Sequence, residues 1–414
     1  MAQNIRIPIK AWYGDEEASL HFPESWDVQN CQMMGHDTPA LDDDQLREAL
    51  NNPYGTATLR DMAQGKEHVV ILFDDLTRPA PTHRILPMVL ESLAEAGIKD
   101  DQIRFVGAFA NHAAMSQEDF VKKLGKDVVR RFRIYNHNPY EHLVDLGETT
   151  RGTPILINRE VMSCDLKIGI GGLIPHPGAG FGGGGKMVFP GVAGLEAVAV
   201  NHGRPRPAHM TDSPTGMLGK VEGNLLREDI EEAVRKVGLN MKIDLLINNR
   251  REVVGVFAGN FVTEHRAGVK RALQLYATPT PKECDIVVTN AYPIENQTGK
   301  SLWPTKLCLK EGGTAVIITQ TIEGQALHYL TGRFGTDYGG KLWTATRGAI
   351  PNAGRIIVCS EYLSRTDLDK LGTDDRVVAC ETWEETLNHL KLTHANQAKV
   401  AVFPYAAIQC PEAE

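Results

Sequence analysis

The chain has 414 residues, with 44 Lys and Arg against 52 Asp and Glu and a formal net charge of −8 at pH 7. Since a domain commonly takes about 100–200 residues, this length predicts two or three domains. A hydrophobic content of 42% excludes wholesale disorder. The acidic balance, without any long Lys/Arg block, argues against nucleic acid and anionic membrane surfaces as partners.

The seven cysteines are scattered and form no CxxC pair, which predicts buried, reduced thiols instead of a disulfide framework or a zinc cage. The opening MAQNIRIPIKAWYGDEE lacks the apolar core of a signal peptide. No apolar stretch of the sequence approaches the roughly 20 residues that a membrane span needs. We therefore expect a soluble, cytoplasmic protein. Its oligomeric state stays open, a homo-oligomer included.

Apolar and polar residues alternate over the first 30 positions, which predicts half-buried antiparallel strands. From residue 68 the chain reads HVVILFDD, THRILPMVLESLAEAG and IRFVGAFA, a strand, an amphipathic helix ending at a glycine, and a second strand. This βαβ unit predicts a parallel sheet. Ser116 with Asp119 predicts the capping box of the next helix.

Further along, RFRIYNH and LKIGIGG predict two more strands, and residues 195–240 are largely helical in pattern. LLINNRREVVGVFAG predicts a hairpin with a polar tip. The Pro- and Thr-rich stretch near residues 277–283 is the best candidate domain boundary, because strand and helix alternation restarts after it.

These patterns predict an α/β fold class, with two α/β domains that carry Rossmann-like sheets and an active-site cleft between them. Residues 1–278 would form an N-terminal domain that includes His112, His176 and Lys186. Residues 279–414 would form a C-terminal domain that closes the cleft.

The most unusual segment contains four consecutive glycines, Gly182 to Gly185, followed by Lys186. Glycine runs persist where backbone must come close to another group. Gly180 to Lys186 fits the core of a phosphate-binding P-loop, but Met187 stands where that loop needs Ser or Thr for Mg²⁺. This disfavours a nucleotide triphosphatase and leaves open an anion cradle made of backbone N–H groups, or a loop without chemical role.

Two histidines bracket this loop, His176 ten residues before Lys186 and His202 sixteen residues after it. Neither spacing is that of a helical zinc pair. A single histidine is more often a packed or exposed residue than a ligand. Three polar groups of ligand or base type around one glycine run make a chemical role the better interpretation.

Polar groups also follow other predicted strands, where ligands bind in open α/β sheets. Asp75, Thr77 and Arg78 follow the first strand of the βαβ unit, and His112 follows the second. Asp75 or Thr77 could simply cap a helix, whereas anion binding is the better interpretation for Arg78. Asn296, Gln297 and Lys300 occupy an equivalent loop beyond the boundary. Two further segments are weaker candidates: His137, which could orient a neighbour but is better interpreted as a surface residue, and a turn-rich basic loop at 204–209.

In order and spacing, four of these segments resemble the nickel-pincer nucleotide-dependent lactate racemase family. They are DDLTRP at 74–79, the NHAAMSQED segment, IPHPGAGFGGGGKMVFPG, and NHG with His202. The resemblance runs from about residue 70 to 300. The Gly-rich segment with its lysine is the specific part. Gln297 and Lys300 match a Gln-x-x-Lys pair of the family's second domain, with a shorter preceding loop.

The resemblance implies a cofactor of the Ni(II) pyridinium-3,5-bisthiocarboxylate mononucleotide type, covalently attached at Lys186, with His202 as the protein's nickel ligand. A square-planar set of soft and imidazole donors suits Ni(II). The glycine run and the Asp75–Arg78 loop would hold the cofactor's phosphate and ribose, with Gln297 and Lys300 also at the cofactor. Enzymes of cofactor biosynthesis would be partners in maturation.

The implied reaction is inversion of C2 of a 2-hydroxy acid by hydride transfer, with His112 and His176 exchanging the hydroxyl proton on opposite sides. One departure concerns the substrate: the family often has His-Arg-Pro where this chain has His112-Ala113-Ala114. The lost arginine predicts a substrate larger than lactate, such as an aldonate. The alternatives are a nickel-independent phosphate- or nucleotide-binding enzyme and a non-catalytic carrier or sensor.

Overall fold

A computed structural model describes residues 3–203, 213–326, 350–365, 367–368 and 375–412 of the chain. The strands are β1 Gln3–Ile9, β2 Glu16–Phe22, β3 Asp27–Asn30, β4 Val69–Phe73, β5 Ile103–Gly107, β6 Arg133–Asn136, β7 Leu143–Glu148, β8 Pro154–Asn158, β9 Leu166–Gly172, β10 Pro175–His176, β11 Gly180–Phe181, β12 Met241–Ile247, β13 Val253–Gly259, β14 Ala277–Thr278, β15 Cys284–Asn290, β16 Leu309–Ile318, β17 Ala353–Cys359, β18 Val377–Cys380, β19 Lys399–Phe403 and β20 Cys410–Pro411.

The α-helices are α1 Asp43–Asn51, α2 Leu59–Ala63, α3 Leu86–Glu95, α4 Gln117–Leu124, α5 Lys126–Arg131, α6 Arg159–Met162, α7 Leu195–Gly203, α8 Leu225–Val237, α9 Thr263–Leu275, α10 Trp303–Cys308 and α11 Trp383–Thr393. The predicted capping box begins α4, where the Ser116 side chain accepts from Asp119 N. Strands and helices alternate through most of the chain, so the predicted α/β class is confirmed.

The first sheet has six strands in the order β13-β12-β9-β4-β5-β6. Its central strand β4 has the sequence VVILF and is buried at every residue, as a parallel strand covered on both faces must be. The predicted βαβ unit is confirmed, since β4 pairs in parallel with β5 and β9. The predicted hairpin is also present as the antiparallel pair β12 and β13. The carboxyl ends of β4, β5 and β9 therefore meet at one edge.

The second sheet has the order β18-β17-β16-β15-β19-β3, and all of its pairs are parallel. Its last strand comes from the start of the chain, because β3 pairs with β19. The antiparallel β1 and β2 pack their apolar faces onto this sheet as well, with Ile7 and Phe22 in one cluster with Ile286. The division of the chain at residue 278 stays a prediction, and a single cut there does not separate the two sheets.

All seven cysteines are buried and free of disulfides, as predicted. Within the described ranges, no helix has the length and apolar character to cross a membrane.

Candidate active site

The loop after β4 is tightly ordered by its own polar side chains. Asp75 Oδ1 accepts from Thr77 N at 3.1 Å and from Thr77 Oγ1 at 2.5 Å. Arg78 Nη1 in turn donates to Thr77 Oγ1 at 2.7 Å and to Thr77 O at 3.0 Å. Asp75 and Thr77 are buried, so these contacts fix the orientation of the three side chains at the edge of the sheet. Neither Asp75 nor Thr77 caps a helix, because the following 3-10 helix Thr82–Arg84 has Pro81 at its N-cap.

His112, which follows β5, lies against this loop. Its Nδ1 is 2.6 Å from Asp75 Oδ2, and its Nε2 is 3.1 Å from Nε2 of Gln297. A carboxylate only accepts, so Nδ1 carries a hydrogen, and the neutral ring keeps its lone pair on Nε2. Burial acts to raise the pKa of Asp75, but the contact with His112, the charge of Arg78 and the hydrogen bond from Thr77 together outweigh burial and lower it. Asp75 is therefore a fixed anion behind His112.

Gln297 and Lys300 follow a strand of the second sheet. They lie in the short 3-10 helix Glu295–Ser301, between β15 and α10. Gln297 interrupts that helix with φ −133° and ψ 60°, and its amide then reaches His112. Lys300 Nζ is buried and has no hydrogen-bond partner among the described residues. Burial lowers the pKa of Lys300 well below its usual range, and the charges of Arg78 and Lys186 lower it further.

His176 ends β10, which forms a two-residue hairpin pairing with β11. Its Nδ1 accepts from the backbone N–H groups of Gly178 at 3.1 Å and Ala179 at 3.0 Å. The neutral ring therefore carries its hydrogen on Nε2, the opposite arrangement to His112. Burial lowers the pKa of His176 well below its ordinary value. The charges of Lys186, Lys300, Arg78 and His202 act in the same direction.

Lys186 lies in the short 3-10 helix Gly184–Met187, at the end of the glycine loop, which we define as residues 180–187. Gly183 and Gly184 have φ of +68° and +55°, which glycine adopts without strain. A Cβ added at Gly183 would lie 2.4 Å from Asp244 Oδ2, the atom that accepts from Gly184 N at 2.8 Å. Gly182 N donates to Ile174 O at 2.7 Å. Two of the four glycine amides are thus engaged by the protein itself.

The comparisons with known proteins agree on one family. A family model for the lactate racemase N-terminal domain matches residues 13–212. The lactate racemase of Thermoanaerobacterium thermosaccharolyticum is 27% identical over 330 residues, which are 78% of this chain and 75% of that protein. The lactate racemase of Lactiplantibacillus plantarum is 30% identical over 286 residues, covering 67% of this chain and 66% of that protein.

The chain belongs to the lactate racemase family. It is accordingly a racemase, which is a kind of isomerase. The fold agrees, since the structure of the lactate racemase apoprotein from T. thermosaccharolyticum superposes over 99% of this chain and 100% of that chain, with a TM-score of 0.73 at 23% identity. A Thermotoga maritima protein of the same fold covers 89% of this chain at 16% identity, with a TM-score of 0.65.

The range matched by the lactate racemase domain model includes seven of the nine predicted site residues, from Asp75 to His202. His202 lies in the last turn of α7 and is partly buried. The basic segment predicted as a loop at 204–209 lies outside the described residues. Gln297 and Lys300 lie outside the matched range, and the structure brings them to the site from the second sheet. The roles of all these residues stay predictions.

A group of buried charges lies beneath the glycine loop and was not predicted from the sequence. The Arg227 guanidinium donates to the carbonyl groups of Ala179, Phe181, Gly182 and Gly183. Asp244, which holds Gly184 N, pairs with Lys242 at 2.5 Å, and His265 Nε2 is 2.9 Å from Gly182 O. A signal was available, because Lys242 and Asp244 lie two residues apart on one face of an otherwise apolar strand.

A second missed pair supports the loop after β4. Lys123 is fully buried, pairs with Asp74, and donates to Arg78 O at 2.7 Å and Ala80 O at 3.0 Å. Asp74 Oδ2 also accepts from Gly172 N at 2.8 Å, which joins this loop to β9. The pair therefore fixes the backbone that carries Arg78.

The surface position predicted for His137 is wrong. His137 is 3% exposed, and its Nε2 donates to Ala193 O at 2.9 Å while Nδ1 accepts from Asn158 at 3.1 Å. Burial lowers its pKa to about 4. The flanking residues Asn136 and Asn138 are polar, which favoured an exposed position. His137 directly follows β6, and its ring lies between the end of β8 and the loop before α7.

Proposed function

We propose that this protein inverts C2 of a 2-hydroxy acid, as a racemase or epimerase, with a nickel-pincer nucleotide attached to Lys186. The observation that carries the proposal is a pair of imidazoles in opposite hydrogen-bonding states. His112 is held by Asp75 and Gln297. His176 is held by two backbone N–H groups and lies within electrostatic reach of Lys186, Lys300 and Arg78. Membership of the lactate racemase family supports the 2-hydroxy acid as the class of substrate.

The residues present fit an anionic cofactor. Arg78 and Lys186 both act electrostatically on Lys300, and Lys300 Nζ is buried without a hydrogen-bond partner among the described residues. Buried cations require a counter-anion, which a phosphate would supply. His202 would contribute an imidazole ligand to nickel and Lys186 the covalent attachment. When bound, the cofactor would supply a carbon that accepts the C2 hydride and returns it.

His112 is the proposed base. Asp75 accepts the Nδ1 hydrogen and orients the ring, so the Nε2 lone pair faces the place where Gln297 now donates. A substrate hydroxyl in that place would give its proton to Nε2, and the buried Asp75 carboxylate would stabilise the resulting imidazolium. Gln297 would then be free to donate to the oxygen of the planar 2-oxo acid.

His176 acts on the other side of the substrate. In its neutral form it presents Nε2–H, so a carbonyl oxygen there meets a hydrogen-bond donor. For the opposite stereoisomer, His176 must take a hydroxyl proton on Nε2. This requires its hydrogen to leave Nε2, and a move to Nδ1 would break two backbone hydrogen bonds. The two histidines thus serve opposite stereoisomers from unequal starting states.

We further propose a substrate larger than lactate, such as an aldonate. Ala113 and Ala114 follow His112 where the family often has Arg and Pro, which leaves space and removes a positive charge. An activity screen in which lactate outpaces every bulkier 2-hydroxy acid would contradict this proposal.

The nickel-independent alternative, a phosphate- or nucleotide-binding enzyme that uses the glycine loop, has less support. Such a loop offers its amides to a phosphate, whereas Gly182 and Gly184 already donate to protein oxygens. A carrier or sensor would not need two imidazoles in complementary states.

Peptide mass spectrometry with nickel analysis tests the proposal, after co-expression with the enzymes that build the cofactor. We expect an adduct on Lys186, near-stoichiometric nickel, and inversion of at least one 2-hydroxy acid. Lys186→Ala should lose the adduct, whereas His202→Ala should keep the adduct and lose nickel. An unmodified lysine in active protein, or unchanged nickel in His202→Ala, would contradict the proposed attachment or ligand.

A further inference from the structure

The end of α7 that carries His202 depends on a polar anchor. Apolar side chains, among them Leu195 and Val198, bury the earlier part of this helix. In the last turn, residues 200–203, which the structure describes in full, Asn201 is the one buried residue and is 4% exposed. The final carbonyl groups of a helix lack partners within it, so a last turn opens readily unless it is held. The position of His202 therefore depends on what holds Asn201.

A buried carboxylate holds Asn201. Asn201 Nδ2 donates at 2.6 Å to Oδ2 of Asp229, a residue of α8 that is 3% exposed. The same carboxylate accepts from Thr149 Oγ1 at 2.6 Å and from Thr153 Oγ1 at 2.7 Å. These three donors are neutral, and hydrogen bonds to an ionised acceptor are stronger than those between neutral groups. Asn201 is therefore joined firmly to α8.

The turn between β7 and β8 keeps the Asp229 carboxylate in place. Thr149 N donates to Thr153 O at 3.0 Å, which closes this turn. Three residues further along α8, the Glu232 carboxylate accepts from Thr150 N and from Thr150 Oγ1, both at 2.6 Å. Two carboxylates of α8 thus hold one turn. Asp229 is therefore a fixed point to which α7 is attached.

The same helix also holds the glycine loop. Arg227 lies two residues before Asp229, and its guanidinium donates to backbone carbonyl groups of that loop. Residues two apart on an α-helix point about 200° apart around its axis. α8 therefore contacts the glycine loop, which carries Lys186, from one side, and α7, which carries His202, from another.

We propose that Asp229 and Asn201 are positioning residues that hold His202 at a fixed place relative to Lys186. The inference rests on the proposed function, in which Lys186 attaches the cofactor and His202 is the ligand that the protein contributes to nickel. Residues that directly orient a metal-binding imidazole commonly change metal affinity by about 10–100-fold. Asn201 acts through one turn of backbone, so its removal should speed the loss of nickel by less, about three- to tenfold.

The test compares two variants that each remove one donor from the same carboxylate oxygen, Asp229 Oδ2. Asn201→Ala removes the contact with α7, and Thr153→Val removes a contact with the β7–β8 turn. Both leave a buried carboxylate with two donors, so urea unfolding should show similar losses of stability. Each protein is loaded with the cofactor, the Lys186 adduct is confirmed by peptide mass, and the loss of nickel to added EDTA is followed by metal analysis.

We expect Asn201→Ala to keep a complete adduct and to lose nickel about three- to tenfold faster than the parent protein, with Thr153→Val within about twofold of the parent. Asp229→Ala should lose nickel at least as fast as Asn201→Ala. The double variant should be no faster than Asp229→Ala, because both changes break one contact. Alanine is a better helix former than asparagine, so helix propensity alone would make Asn201→Ala retain nickel longer. The direction of the change separates the two explanations.

Nickel loss from Asn201→Ala that is no faster than that from the parent protein or from Thr153→Val, with a complete adduct, would overturn the inference and leave the proposed function intact. If the parent protein carries no nickel, the proposed function fails, and amide hydrogen exchange of the nickel-free protein then decides. Faster exchange of residues 195–203 in Asn201→Ala than in Thr153→Val supports the anchor. Equal exchange in the two variants overturns it.

Discussion

The two histidines of the site are held in different ways. His112 is oriented by side chains, Asp75 from its own sheet and Gln297 from the other one. His176 is oriented by backbone N–H groups of its own hairpin. One side of the site therefore depends on how the two sheets meet, whereas the other is preset within one of them.

The difference extends to what supports each side. The glycine loop beyond His176 is held by Arg227 of α8 and by Asp244 of β12, a strand of the first sheet. The His112 side has the loop of Gln297, which follows β15 of the second sheet and whose Glu295 carboxylate accepts from Lys10 N and Ala11 N. Substitutions in the loops of the second sheet should therefore change the orientation of His112 and leave the glycine loop in place.

The largest expected effect comes from removing either imidazole. His112→Ala and His176→Ala should each lower kcat by about 10²–10⁴-fold, because each removes a general acid–base group. Steady-state assays of the loaded enzyme measure this loss, and His21→Ala, on the exposed face of β2, is the control. If either variant kept kcat within tenfold of the parent, that histidine would not be part of the proton transfer.

Gly183→Ala should break the preset side without touching His112. The new Cβ would lie 2.4 Å from Asp244 Oδ2, and alanine would have to adopt φ +68°. The free energy of unfolding should therefore fall by about 3 kcal/mol. Gly223→Ala is the matched control, since φ is +66° there and the space around it is open. It should cost only about 1 kcal/mol. Equal losses in urea unfolding would show that Asp244 does not constrain the loop.

His137 is a buried histidine outside the proposed site, and it provides a comparison with His112 and His176. His137 has its pKa lowered to about 4 from an ordinary 6.5. The unfolded chain therefore binds a proton that the folded chain refuses, and stability is lost as pH falls from 6.5 towards 4. This contributes about 3 kcal/mol of acid sensitivity. In urea unfolding between pH 7 and pH 4, His137→Asn should show a correspondingly smaller loss. An unchanged pH dependence would contradict the burial of the neutral ring.

The smallest expected effect tests the dependence of His112 on the second sheet. Gln297→Ala should lower kcat about tenfold, since one hydrogen bond at the reacting oxygen is lost. The Lys186 adduct should stay complete by mass spectrometry. Gln274→Ala, an exposed amide on α9, serves as the control. Loss of the adduct in Gln297→Ala would mean that the two sides are not independent.

The sequence predicted the parts of the fold that follow from local pattern. Period-2 alternation, the βαβ unit and the hairpin all stand where they were expected. The strand-end rule also worked for the site, because Asp75, His112 and Gln297 do meet. These features depend on residues close in the chain, or on the fixed geometry of parallel strands.

The rest depended on long-range packing that no local pattern encodes. The pairing of β3 with β19 joins residues 372 positions apart, as in the pair Asp27 and Lys399. Arg227 looks like an ordinary charge on an amphipathic helix, and only the fold turns it towards the glycine loop. For the same reason, the glycines at 183 and 184 suggested room for a phosphate, whereas the structure fills that space with Asp244 and His265.

The fate of the C2 hydrogen tests the central claim most directly. The loaded enzyme would be incubated in ordinary water with a 2-hydroxy acid that carries deuterium at C2, and both stereoisomers would be followed by NMR. If C2 is inverted by hydride transfer while His112 and His176 exchange only the hydroxyl proton, the product retains its deuterium. Washout of deuterium into water at the rate of inversion would contradict the account, because it would mean that a base removes C2–H as a proton.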